Sequence, residues 1–345
     1  MDKFNKGDIM NKLGKVGVSA LCGSLAGISA ANAGDLTVTG GATLTWFQQD
    51  SATTGNPIGM ASALGFSGSG ELDNGWNVAL SIALGDGGAY SNTYITVTLP
   101  GLGDVRVDQG VSGTGIQRLD DITPTVWEEA DGAGLGASIN KITGVSAGTN
   151  IEVTPTEVMP AGLTAHIAFS KDSDSGQAND KVASGDSGAL GSGWDVTLEA
   201  TDELTGIAGL TVYGGISEVD QYQNSATIDG DKSETVLGAK YAAGGFTVGY
   251  QVTDEDTGIT ATTGYDNTSY GITFSVNDDL SIGYAHTESD GAGKSVDAEA
   301  DSYQIAYTMG GASLRVADVK ADNAFFNSAA SGDVNATVVS LGLAF

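Results

Sequence analysis

Hydrophobic residues recur at every second position along most of this chain. Val78, Leu80, Ile82 and Leu84 alternate with Asn77, Ala79, Ser81 and Ala83, and Phe246, Val248, Tyr250 and Val252 alternate with Thr247, Gly249, Gln251 and Thr253. The same pattern runs through Tyr270, Ile272, Phe274 and Val276, and through Tyr303, Ile305, Tyr307 and Met309. A period of two predicts β-strands with one apolar and one polar face. In a water-soluble sandwich, bulky core residues would fill the apolar face and charges the other. Here the polar face is mostly Thr, Ser, Gly and Gln, and the apolar face includes many Tyr. That composition predicts the inverse arrangement, a sheet closed into a barrel with lipid outside and water inside.

The connections alternate in length. Short ones fall at Asp73-Asn74-Gly75, Pro100 to Gly103, Pro160-Ala161-Gly162, Gly244-Gly245, Asn277-Asp278-Asp279 and Gly310-Gly311, all built from residues that turn tightly. Longer acidic segments lie near 50–59, 86–91, 110–147, 172–192, 219–233, 254–264, 289–299 and 322–333. The strands between them are expected at about 35–49, 60–72, 76–85, 92–99, 104–109, 148–157, 163–171 and 193–201. They continue at about 209–218, 234–243, 246–253, 265–276, 280–288, 300–309, 312–321 and 334–345, sixteen in all. An even number puts both ends of the sheet on the short-turn side. The final strand places Val339, Leu341, Leu343 and Phe345 two apart, as expected of a strand that closes the ring.

The opposite end of the chain reads as a secretory leader. Lys3, Lys6, Lys12 and Lys15 precede a small apolar run from Val16 to Ala30 and an A-x-A site at Ala31-Asn32-Ala33. The expected division is a signal peptide over 1–33, with Met10 an alternative start, and a barrel domain over 34–345. Leu21 stands where a lipoprotein site before Cys22 would need a small residue. Cleavage removes Cys22, the sole cysteine, and with it any disulfide or thiolate metal site. Losing the leader's four Lys and two Asp takes the formal net charge from −29 to −31. So acidic a chain is no partner for nucleic acid, and no later stretch approaches the roughly 18 apolar residues of a transmembrane helix.

Several segments then resemble a known family. They are Asp35-Leu-Thr-Val-Thr-Gly-Gly-Ala, Glu71-Leu-Asp-Asn-Gly-Trp76, Leu102-Gly-Asp-Val-Arg-Val107, and Asn150-Ile-Glu-Val-Thr-Pro155 followed by Pro160-Ala-Gly-Leu-Thr164. In order and spacing, and with Phe345 last, they resemble the general-diffusion porins of Gram-negative outer membranes. The resemblance implies an all-β fold, a transmembrane antiparallel β-barrel of about sixteen strands with a long third loop folded into the lumen. It implies an outer-membrane homotrimer that passes small hydrophilic solutes and ions. Its other partners would be outer-membrane lipid, lipopolysaccharide and the barrel-assembly machinery, which reads Val339, Leu341, Leu343 and Phe345. The Pro-Glu-Phe-Gly-type motif often found on that loop is absent.

The longest connection, Gly110 to Ala147, is the candidate constriction. It carries Arg118, Asp120, Asp121, Glu128, Glu129 and Asp131 around Ile122, Val126 and Trp127, which is expected to pack on the inner wall. Strand phase turns Arg106, Lys240 and Arg315 inward to oppose those acids, and rings of charge set ion preference in a pore. The acidic balance predicts a weak preference for cations. Inward Phe47, Tyr94 and Tyr213 would be the beginnings of a sugar slide in a substrate-specific channel. An acidic surface adhesin is the reading from a different class. The chain is not expected to be an enzyme: His166, inward on the seventh strand, and His286 are its only histidines, and no GxSxG element exists. No cofactor is expected. Asp172-Ser-Asp174-Ser-Gly176 and Asp254-Glu-Asp256-Thr-Gly258 lack the Gly and Glu spacing of a calcium loop, so loose loop-bound Ca²⁺ is the most they allow.

Overall fold

The computed structural model describes residues 36–50, 55–110, 113–128, 130, 139, 141–174, 190–221, 228, 230–259 and 264–344. The expected signal peptide over 1–33, Glu129, Asp131 and Phe345 lie outside these residues. Sixteen antiparallel strands form one closed barrel. They are β1 (Thr37–Gln49), β2 (Ile58–Glu71), β3 (Asn77–Leu84), β4 (Tyr90–Leu99), β5 (Gly103–Asp108), β6 (Asn150–Thr154), β7 (Leu163–Ser170) and β8 (Leu190–Ala200). The second half comprises β9 (Leu210–Gln221), β10 (Lys232–Ala243), β11 (Phe246–Asp256), β12 (Tyr265–Ser275), β13 (Leu280–Gly291), β14 (Ala298–Met309), β15 (Ala312–Asp322) and β16 (Val334–Ala344). Closure comes from β16 on β1, with Ala42 opposite Leu343, Leu44 opposite Leu341 and Trp46 opposite Val339. No sheet edge is left at that seam.

The polarity is inverted as expected. On β11 and β14 the exposed positions include Tyr250 at 53% and Tyr303 at 61%, while Gln251 and Ser302 are buried. Outside, aromatic rings meet across neighbouring strands: Phe246 stacks on Phe274 at 4.2 Å, and Tyr284 lies 5.0 Å from Tyr303.

Strand ends differ from expectation by up to three residues, at β6, β8 and β9 among others. β11 continues to Asp256 and β13 to Gly291, because regular pairing with their neighbours runs on through acidic residues. Asp254 and Glu255 are therefore consecutive ladder residues on opposite faces rather than part of an outer loop. The connection from β8 to β9 carries a one-turn helix, α1 (Asp202–Thr205), that ends on Gly206 in the left-handed region at φ 71°. The wall is also uneven in height. β5 and β6 have 6 and 5 residues, whereas β9, β10, β13 and β14 have 12 each, so the wall is lowest at β5 and β6 and rises to a tall arc over β8 to β15, with β1 and β2 longer still at 13 and 14 residues.

Candidate functional site: the third loop inside the barrel

The segment between β5 and β6 folds inward and lies along the inner surface of the tall arc. It does so because that wall supplies both acceptors and room. A single register row crosses the inner surface through Arg106, Glu152, Ala168, Asp195, Ser217, Glu234 and Glu255. Carboxylates stand on alternate strands of that row, β6, β8 and β10, separated by the small residues Ala168 and Ser217. Each binds backbone of the loop. Gly115 N–H donates to Glu152 Oε2 at 2.7 Å, and Ile116 N–H and Val145 N–H both donate to Asp195 Oδ2 at 3.0 and 3.1 Å. Thr143 N–H and Gly144 N–H donate to the two oxygens of Glu234 at 2.9 and 2.6 Å. Asp195 thus ties the outgoing limb to the returning one. Such charge-assisted bonds are roughly twice as strong as neutral ones.

Beneath the outgoing limb, Ile116 and Leu119 bury against Ile142, Tyr213 and Val236. Further round, amides replace acids. Gln251 Nε2–H donates to Leu119 O at 2.8 Å, and Gln304 Oε1 accepts from the N–H groups of Val126, Trp127 and Glu128 at 2.9, 3.0 and 3.3 Å. Between these anchors the wall is notched by glycine. A Cβ at Gly271 would stand 2.1 Å from Pro124 O, one at Gly249 2.3 Å from Pro124 Cδ, and one at Gly283 2.7 Å from a Val126 methyl. Trp127 closes the attachment, its Nε1–H donating to Val316 O at 3.3 Å.

The candidate residues divide between these surroundings. Arg118 turns to the wall and pairs with Glu152. Asp120 and Asp121 line a narrow cleft between loop and wall that Lys141 of the return limb also lines. Glu128 is held through its backbone by Gln304, whereas Glu129 and Asp131 lie outside the described residues. Arg106 lies over the Tyr94 ring at 3.9 Å and pairs with Asp108. Lys240 sits 5.7 Å above Tyr213. Arg315 stands 5.0 Å from the Trp127 ring and donates to Ser340 Oγ at 3.1 Å. Tyr213 is buried beneath the loop with its hydroxyl on Gln251, and Phe47 packs against the apolar cluster around Ala317 and Val319. Neither extends Tyr94 into an aromatic slide.

Of the histidines, His166 Nδ1 lies 2.9 Å from Thr154 Oγ1 on the inner wall. His286 is stacked on Tyr270 at 4.8 Å, with Nδ1 2.9 Å from Asp301 Oδ1. Among the described residues no group of three or more His, Cys, Asp and Glu is arranged to hold a metal ion. Sequence reading missed the holders of the loop, Glu152, Asp195, Glu234, Gln251 and Gln304. Their signal was available: long acids and amides at inward positions where the other inward residues are small.

The opposite arc is bare. Inner positions of β16 and β1 to β4 include Thr43, Thr45, Ala61, Ala63, Ser67, Ser81, Thr96 and Ser340, and this face is built from hydroxyls and small side chains. The closed barrel fold is shared with solved structures. Salmonella typhi OmpF, solved with daunomycin, aligns with a TM-score of 0.67 at 13% identity over 90% of this chain and 98% of its own. A mutant of the Rh. blastica porin aligns at 0.58 and 13% identity over 90% and 100%. The loop L8 deletion mutant of Vibrio cholerae OmpT aligns at 0.63 and 12% over 90% and 99%. No curated protein matches the sequence. The family model of Gram-negative porins matches residues 17–345, and the chain belongs to that family of outer-membrane β-barrel channels.

Proposed function

We propose that this channel passes small hydrophilic solutes and ions by passive diffusion and weakly favours cations. The observation that carries the reading is the division of the lumen. The third loop is bonded to the wall at both limbs, an arrangement that supports a narrowed barrel with a passage beside the loop. The passage left beside it is bounded by hydroxyls, which hydrate polar solutes and select none strongly. The chain's excess of acids supports the cation preference, because a summed negative field enriches cations at the mouth. Reconstitution in planar bilayers tests this: stepwise conductance with a cation-side reversal potential in a KCl gradient is expected. Silent membranes, or anion preference in dilute salt, would overturn it.

The outer face supports a homotrimer joined through β1 to β5. Outward positions there are mostly aliphatic or small, such as Leu44, Met60, Leu80 and Ile95, with Trp46 an exception, while the outward tyrosines gather on β10 to β14. Tyr rings suit a lipid–water interface, and a wall without them suits protein. Strand β2 adds a second reason. Its pairing with β3 stops at Leu64, so Ile58 to Ala63 has no strand beside it on that edge among the described residues. Met60 there is 74% exposed. Outer-membrane lipid and lipopolysaccharide would then contact the tall arc, and the assembly machinery would read the closing strand. Crosslinking in native membranes is expected to trap three chains through β1 to β5; monomers alone would refute the assembly.

A further inference from the structure

We infer that Arg315 forms a subsite on the lumen wall for the carboxylate of small hydroxylated monoanions. The inference rests on the channel reading above and adds a ligand class to it. The chain has three arginines, and they are treated differently. Arg106 pairs with Asp108 and Arg118 with Glu152. Arg315 has no carboxylate within 4.0 Å among the described residues, and its one hydrogen bond is to the neutral Ser340 hydroxyl at 3.1 Å. A guanidinium carries five N–H donors in a planar fork that matches a carboxylate. Most of that fork has no acceptor among the described residues.

Its surroundings are a recess made by missing side chains. An open pocket of about 570 Å³ is lined by Arg315 with Thr43, Ala61, Thr308 and Ser313, and also by Asp86, whose carboxylate accepts from Ser62 N–H. Gly342 forms its floor, and a Cβ there would stand 3.0 Å from Arg315 Nη2. Trp127, on the tip of the loop, fixes the guanidinium from another side at 5.0 Å. The arginine is thus pinned by an aromatic ring and a hydroxyl while its remaining donors stay unpaired among the described residues. Thr43, Thr308 and Ser313 offer hydroxyls to a polar tail. One cation in a strongly acidic protein suits a single negative charge better than two. Cations gathered at the mouth and a carboxylate subsite on the wall are compatible, since the first is a long-range field and the second a contact.

The test uses the full-length protein in liposomes, with sodium gluconate and sorbitol as probes of similar size that differ in charge. Sorbitol uptake reports the open channel, and the gluconate-to-sorbitol ratio reports the subsite. Arg315→Gln is expected to lower that ratio roughly threefold or more with sorbitol uptake unchanged. Arg315→Lys should recover less than half of the loss, because an ammonium lacks the paired fork. Gly342→Ala, which keeps the charge but crowds Nη2, should lower the ratio too. An unchanged ratio in Arg315→Gln, full recovery in Arg315→Lys, or an equal fall in Arg106→Gln would overturn the subsite and leave only a general field. If Arg315→Gln fails to assemble, an unchanged ratio in Gly342→Ala overturns it instead. Wild-type vesicles that exclude sorbitol would refute the channel itself.

Discussion

The two arcs of the lumen solve opposite problems. The arc from β6 to β15 receives the third loop, and its inward residues are long acids, amides and glycines. The arc from β1 through β4 carries none of the loop's named hydrogen-bonded anchors, and apart from Phe47 and Tyr94 its inward residues are mostly Thr, Ser, Ala and Gly. The contrast shows what formal charge conceals. Glu152, Asp195 and Glu234 face inward, yet each is occupied by N–H groups of the loop, and Glu234 and Glu255 share Lys232 at 2.8 and 2.9 Å. Carboxylates used in this way cannot attract passing cations as free ones would. The net charge of −29 therefore overstates the field inside the pore.

The largest effect should come from cutting the tie between the two limbs. Asp195→Ala with Glu234→Ala would leave the buried N–H groups of Ile116, Val145, Thr143 and Gly144 without acceptors, and each orphaned group costs about 1–3 kcal/mol. The sheet itself makes no use of these side chains in its ladder. The variant is expected to keep the heat-dependent gel shift of a folded barrel while the loop detaches. Flickering single-channel current and new protease cleavage between 110 and 147 would show it. A quiet channel with an intact loop would mean that the apolar cluster under Ile116 suffices.

A smaller effect, and a sharper comparison, comes from placing the same side chain on both arcs. Gly271→Val puts a Cβ 2.1 Å from Pro124 O and must push the loop inward, at a cost of about 1–3 kcal/mol typical of overpacking. Ser81→Val on the opposite arc stands in register with Ser67 and Tyr94, away from the named anchors of the loop, and should change stability by less than about 0.5 kcal/mol. Thermal gel-shift midpoints measure the first difference, and conductance the second. Equal destabilisation at the two sites would erase the distinction between the arcs.

Much of this was legible in the sequence, and the reason is physical. Period two survives in every strand because lipid and water each demand one face, so strand number, phase and closure could be read directly. The boundaries at Asp256 and Gly291 were lost because acid at a strand end reads as loop, although the ladder continues through it. The loop's position against the wall was visible only in part. Trp127 signalled attachment, but Glu152 and Asp195 are 43 residues apart in the chain and become neighbours only through strand register. Arg118 illustrates the same gap: its charge suggested the hole, whereas its partner lies on β6.

The smallest effect concerns Asp120 and Asp121. Both line the cleft beside Lys141, so part of their field is cancelled where it arises. Acids at the outer mouth act from farther away, and their influence depends on salt: the screening length is about 8 Å at physiological ionic strength and about 3 Å at 1 M. Cation preference should accordingly fall as KCl rises. Asp120→Asn with Asp121→Asn should lower what remains by only a few tenths of a kcal/mol, the scale of exposed charge pairs. Reversal potentials in dilute and concentrated KCl gradients separate the two contributions. Complete loss of selectivity in the double variant would place the controlling charge on the covered arc. No change at any salt would assign the preference to the mouth, and the loop would then narrow the pore without choosing its ions.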